Sequence, residues 1–223
     1  MKSFVVYVED HEDSKKQAQR CKLSCNRSGF EAELMSGVTP KTLSEYATNY
    51  KDAEGARITS FKRESKKVYE SKKSCFTNHV RVWKKCIELN EPVAFIEHDA
   101  GNIREWDNIQ FDDVLILNVE SAFKQPVFDH VQNKPVFNLS INEYSNTPLI
   151  YNKENQWKGA AMIPGTAAYA ITPKGAQKLL TNLETYGWEQ SDYFINSYNV
   201  KLQYVVPEYF TLISPNLNMS HGY

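Results

Sequence analysis

The chain has 223 residues, 41% of them apolar and 24% charged, with 26 basic against 27 acidic side chains. That is ordinary for a soluble globular protein and long enough for one domain with a substantial core. No apolar run reaches the roughly eighteen residues that a membrane span needs, so no transmembrane helix is expected.

Met1-Lys-Ser-Phe-Val-Val-Tyr-Val-Glu9 turns acidic too soon for a signal peptide, and the expected compartment is the cytoplasm. Cys21, Cys25, Cys75 and Cys86 lack Cys-x-x-Cys spacing and clustered histidines, which argues against zinc; Cys75 and Cys86 read as small apolar packing residues. The near-neutral total hides an asymmetry. Residues 1–90 hold 18 basic and 12 acidic side chains, residues 91–223 hold 8 and 15. The basic doublets of 57–85 fit a solvated face or a phosphate-rich partner, which means a nucleotide, an anionic glycan or nucleic acid.

In chain order, Phe4–Val8 is an apolar strand, Glu9–Ser14 a polar turn, Ser14 to Asn26 a helix, and Gly29–Leu34 an alternating strand. Such a β-α-β opening predicts a parallel sheet, without the Gly-x-Gly-x-x-Gly dinucleotide fingerprint. Residues 36–73 are polar and punctuated by Pro40 and Gly55; they read as loops and short helices forming a flap. Phe76, Val80, Trp83 and Ile87 recur at helical spacing, with Ser74 as the expected N-cap and Asn90-Glu-Pro92 as the stop.

Pro92–Ile96 is a continuous apolar run, as expected of a central strand covered on both faces. Glu97-His98-Asp99 follows at its carboxyl end, the edge of an open α/β sheet where ligands bind. Two carboxylates there suit a hard divalent cation, Mn2+ or Mg2+, and through it a diphosphate.

Asp112–Val119 reads as another buried strand, and 120–158, interrupted by Pro126, Pro135 and Pro148, as an irregular insertion. Ala167–Ile171 is a small-residue strand, after which Thr172 caps a helix with Pro173 at its first position. Gln203–Pro207 is the last strand.

Cys75-Phe-Thr-Asn78-His79-Val-Arg-Val-Trp83, followed by a strand ending Glu97-His98-Asp99, resembles the core of the family 25 glycosyltransferases. That family shows Cys-x-x-Ser-His-x-x-x-Trp and then Glu-Asp-Asp. Asn78 stands in place of the serine and His98 in place of the middle acid. Gly165-Thr-Ala-Ala-Tyr-Ala-Ile-Thr-Pro-Lys-Gly-Ala-Gln-Lys-Leu-Leu180 matches the family's Gly-x-x-Ala-Tyr element, and the resemblance covers most of the chain outside the centres of 36–73 and 120–158.

It implies an α/β fold of GT-A type, with a Rossmann-like, mainly parallel central sheet flanked by helices, in a single domain spanning 1–223. It implies a nucleotide-diphosphate sugar donor, a UDP-sugar above all, and transfer to an acceptor hydroxyl with inversion. Asp99 takes the metal-ligand role, with Glu97, and His221 as a third ligand from the tail. His98 is an extra ligand, a group behind the ligands, or a sign that metal use has weakened.

Val8, Glu9 and Asp10 are placed against base and ribose, and His79, Glu97, His98, Gly165 and Thr166 also on the donor; the basic role falls to Lys15, Lys16 or Arg20. Asp192, in Gly187-Trp-Glu-Gln-Ser-Asp192, is the candidate base with Glu189 as runner-up; both read equally as first-turn acids of a helix. The acceptor stays open between a glycan and a hydroxylated base in DNA of bacteriophage type. A non-catalytic glycan- or nucleotide-binding module with a decayed metal motif is the third alternative.

Overall fold

The computed structural model describes residues 1–46, 50–54, 65–123, 136–138, 150–151, 157, 159–163 and 165–213. Strands β1 (Lys2–Tyr7) and β2 (Glu31–Ser36) flank helix α1 (Glu12–Arg27). Helix α2 (Lys66–Leu89) runs into β3 (Val93–Glu97), followed by β4 (Ala100–Asn102), β5 (Val114–Ile116) and a short helix α3 (Val119–Phe123). The chain continues through β6 (Val136–Asn138), β7 (Ile150–Tyr151), β8 (Ala161–Met162) and β9 (Ala168–Ile171). Helices α4 (Pro173–Tyr186) and α5 (Ser191–Phe194) and strands β10 (Leu202–Val205) and β11 (Phe210–Leu212) complete it.

Seven strands form one sheet in the order β2-β1-β3-β9-β5-β10-β6. β2, β1 and β3 are parallel, as are β5 and β10. β9 runs antiparallel to both β3 and β5, and β6 antiparallel to β10. The fold is the expected Rossmann-like α/β sheet with helices on its faces, five strands pointing one way and two the other.

The reversal of β9 has a direct consequence for position. Ile96 lies opposite Ala168 and Ile116 opposite Tyr169, so the start of β9 stands on the edge where β3 and β5 end. Gly165 and Thr166 are thereby delivered beside Glu97.

The central strands are apolar on both faces because both faces are covered: Val93, Ala94, Ile96, Val114, Leu115 and Ile116 are fully buried. On one face Trp83, Val80 and Phe76 of α2 pack with Leu179 and Leu183 of α4 and with Trp188 and Phe194. On the other, Ala18, Cys21 and Cys25 of α1 pack with Phe30, Tyr209 and Phe210.

Two helix starts differ from the sequence expectation. α2 begins at Lys66, capped by Ser65, whose hydroxyl accepts from the Val68 amide. Lys66–Lys73 is rich in good helix formers and simply extends the helix, while Ser74 sits within it and donates to the Glu70 carbonyl at 2.7 Å. Residues 66–73 are therefore helix rather than flap. α1 begins at Glu12 with His11 as cap, and Ser14 is buried, accepting from the Val8 amide at 2.8 Å. Asn90 ends α2 in the left-handed conformation (φ 52°), and Thr172 caps α4 through the Gly175 amide.

Among the described residues, no helix is long and apolar enough to cross a membrane.

Candidate active site

A cleft opens where β1 and β3 end. Its walls are Val6–Val8, the Gly37–Pro40 loop after β2, and Ser71, Ser74, Cys75, Asn78 and His79 on one face of α2; its floor is Phe95 with Glu97, His98 and Asp99. Including its open mouth it takes in about 730 Å³. The Gly37 loop lies hard against β1: its amide donates to the Tyr7 carbonyl at 2.7 Å, and a Cβ would sit 2.9 Å from that oxygen. Asn78 holds the same loop, its Oδ1 accepting from the Val38 amide at 2.7 Å and its Nδ2 donating to the Val38 carbonyl at 3.3 Å. A serine at this position would lack the reach and the second hydrogen-bonding group.

The acidic turn carries unspent bonding capacity. His98 Nε2 and Asp99 Oδ1 are buried atoms without a hydrogen-bond partner, an expensive arrangement unless something binds there. Burial pushes the Glu97 carboxyl up to about 8, with Asp99 and Asp192 adding to the effect and Lys72 opposing it. Asp99 is also raised, by burial, and His98 lowered, by burial. Cys75 belongs to the same field. Burial and the nearby Glu97 push its thiol up to about 11, and it lines the cleft instead of packing as a core residue.

Asp192 lies outside the cleft lining, close enough for its charge to act on Glu97 and Cys75; its Oδ1 accepts from the Thr166 hydroxyl at 3.0 Å and from its amide at 3.3 Å. Among the described residues its Oδ2 has no partner, and Asp192 is not sealed from solvent. Asn118 clamps the adjoining turn, donating to the Gly165 carbonyl at 3.2 Å and accepting from the Ala168 amide at 3.2 Å. Gly165 is exposed, has φ +70°, and has no atom within 4 Å of where a Cβ would stand. Thr166 is buried.

Glu189 is fully buried, with Oε1 on the amide of Gln190. That removes it from an acceptor arriving through solvent and leaves Asp192 as the presented carboxylate.

The remaining sequence candidates divide. Val8 is at the cleft lip. Asp10 faces an adjoining recess and pairs with Lys41 at 3.0 Å, while Glu9 lies on the exposed rim, accepting from the Ser36 hydroxyl at 2.7 Å. Lys15 and Lys16 pair with Glu12 and Asp13, and Arg20 with Gln17, all along α1 itself. Lys41 and Lys67 line the recess with His11, and Lys72 acts on Glu97 and Cys75 in the cleft. His221 lies outside the described residues.

Ser71, Ser74, Cys75, Asn78 and His79 form an i, i+3, i+4 polar stripe on α2. The stripe was readable once the helix is taken back to Lys66.

The donor set fits a hard divalent cation in part. Among the described residues no three His, Cys, Asp or Glu side chains are gathered to hold a metal, so Asp99, with His98 or Glu97, would supply two ligands. The rest would come from diphosphate oxygens and water, the usual pattern where one or two carboxylates hold such an ion.

The acids stand at the carboxyl edge of the sheet, with a cleft above them. The model of glycosyltransferase family 25, described as LPS biosynthesis proteins, matches residues 2–195, and the chain belongs to that family. No curated protein matches the chain. Sugar transfer is the activity the family implies.

Proposed function

We propose that the chain transfers a sugar from a nucleotide-diphosphate donor, a UDP-sugar, to a hydroxyl of a glycan, with inversion and with a divalent cation, Mn2+ or Mg2+, at the acidic turn. The observation that carries this reading is the acidic turn Glu97-His98-Asp99 on the floor of the cleft, in which His98 Nε2 and Asp99 Oδ1 are buried without a hydrogen-bond partner. A bound cation would offset the charge that builds on the departing diphosphate.

Asp192 Oδ2 takes the proton from the acceptor hydroxyl while Thr166 holds Oδ1 and so fixes the carboxylate plane. The acceptor oxygen bonds to the anomeric carbon, the bond from that carbon to the phosphate oxygen breaks, and the nucleoside diphosphate leaves with the electron pair. Val8 and the Gly37–Pro40 loop line the side of the cleft away from the acids and would receive base and ribose.

Calorimetric titration with UDP, with and without manganese, tests the donor site. Wild type should bind in a manganese-dependent manner and Asp99→Ala should lose that dependence; absence of nucleotide binding under every condition overturns the reading.

The basic excess of residues 1–90, with Lys41 and Lys67 beside the cleft, favours a second acceptor class, a hydroxylated base in DNA. Such a base must leave the stack to be reached. A steeply salt-dependent affinity for duplex DNA supports this reading, and no binding at low salt removes it.

A further inference from the structure

His79, Tyr169 and Trp83 come from two elements and meet in the core behind the cleft. The Trp83 indole N–H donates to the Tyr169 hydroxyl oxygen at 2.8 Å, and that hydroxyl lies 3.0 Å from His79 Nδ1. All three side chains are buried. His79 is stacked on Phe95, ring centroids 4.0 Å apart and planes 20° from parallel, and lies nearly parallel to the Tyr169 ring at 11°. Stacking on Phe95 holds the imidazole plane, with Nδ1 turned to the Tyr169 hydroxyl.

Hydrogen inventory then settles the tautomer. An indole nitrogen only donates, so the Tyr169 oxygen is the acceptor in that pair. The hydroxyl has one proton, and His79 Nδ1 is the remaining group in reach. If Nδ1 carried a proton instead, the buried hydroxyl proton would have no acceptor, a state disfavoured by about tenfold or more. The consistent arrangement is Trp83 N–H to Tyr169 O–H to His79 Nδ1, which puts the imidazole proton on Nε2.

Among the described residues Nε2 has no partner, yet it is not among the sealed atoms, and His79 lines the cleft. Phe95, on which the ring lies, is two residues before Glu97 on the same face of β3, and the charge on Glu97 is felt at Tyr169. The Nε2–H group therefore belongs to the cleft that Glu97, His98 and Asp99 also line.

We infer that Tyr169 and Trp83 are positioning residues that lock His79 in its Nε2–H form, so that it donates an uncharged hydrogen bond to a phosphate oxygen of the nucleotide. This rests on the proposed donor site and adds the partner of one phosphate oxygen. A neutral donor suits this place. It binds the anion without forming an ion pair with the neighbouring carboxylates, and burial keeps it neutral by pushing its imidazole down to about 3.

The test is long-range proton–nitrogen NMR of the full chain labelled at histidine, with His79→Gln identifying the His79 signals. Free wild type should show a protonated Nε2 and a bare Nδ1, and UDP with diamagnetic Mg2+ should shift the Nε2–H signal where uridine with Mg2+ does not. Tyr169→Phe keeps the ring stack but removes the lock, and should give a mixed tautomer with roughly tenfold weaker UDP binding. His79→Gln places an amide N–H near Nε2 and should bind UDP within about threefold of wild type, whereas His79→Ala should lose roughly tenfold or more.

A protonated Nδ1 in the free protein overturns the inference, as does equal binding by His79→Gln and His79→Ala or a shift produced by uridine alone. UDP binding with the tautomer reversed sinks this inference and spares the donor site; no UDP binding with the tautomer in place sinks the donor site and with it the phosphate contact. If Tyr169→Phe does not fold, the wild-type tautomer and the two His79 variants decide the matter.

Discussion

Two acidic pairs sit at opposite edges of the same sheet, and their environments diverge. Asp112 and Asp113 precede β5. Asp113 is buried, with Oδ2 bonded to Lys178 Nζ and to the Lys201 amide, although Oδ1 has no partner; Asp112 lies 2.6 Å from Lys201 Nζ. Glu97 and Asp99 close β3 at the other edge, with no lysine or arginine ion-paired to either among the described residues, and burial drives both carboxyls upward against the opposing effect of Lys72 on Glu97. A pair held by lysines has its charge offset within the fold. A pair compressed together without a bonded cation is complete only with something bound.

The largest expected effect lies beside the second pair, at Asp192. Asp192→Asn should lower kcat by about 100-fold or more while leaving the KM for the donor nearly unchanged, measured as donor consumption at saturating acceptor. An unchanged kcat would remove the base from this position.

Asp113→Ala should cost about 2 kcal/mol of stability by leaving the Lys201 amide and Lys178 without their acceptor, a fall in Tm of roughly 5 °C for a chain of this size. UDP affinity should not change. Weaker UDP binding at unchanged stability would erase the distinction between the two pairs.

Glu97→Gln should do the reverse. With its folded pKa raised from 4.5 to about 8, Glu97 keeps a proton that the unfolded chain releases, so wild-type stability falls as pH rises through that window. The variant has no such slope and should melt about 3 °C higher at pH 8, with no gain at pH 4, while donor binding weakens. Thermal melts across that range give the answer, and a parallel pair of curves would show that Glu97 is not strained.

Asn78→Ser should be the mildest. It trades two hydrogen bonds to Val38 for at most one, costing about 1 kcal/mol and weakening UDP binding by about fivefold or less. Binding unchanged to within error would show that the loop stands without its tie.

Much of the site was legible in the chain. An apolar run without alternation announced a strand covered on both faces, and its position before Glu97-His98-Asp99 put the acids on the ligand edge. Thr172-Pro173 marked the start of α4 because capping is local chemistry. What escaped depended on distant partners. The strand Ala168–Ile171 could be read, but its direction is set by pairing with both β3 and β5, and only that direction explains why Gly165 and Thr166 meet Glu97. Ser74 resembled a cap as well as Ser65 did, since a hydroxyl near a helix looks alike until the helix's length is known. Tyr169 looked like strand packing because its partner's nitrogen lies 90 residues away in the chain.

The reversed strand has one more consequence, for divergence among related enzymes. The chain approaches β9 from the edge that holds the acids, and Asn118 fixes it there by its grip on Gly165 and Ala168. Additions or deletions before Gly165 can therefore remodel what meets the sugar without touching a single rung of the Ala168–Ile171 ladder. Acceptor preference thus becomes the trait that selection can revise most readily, while the chemistry beneath it is inherited whole.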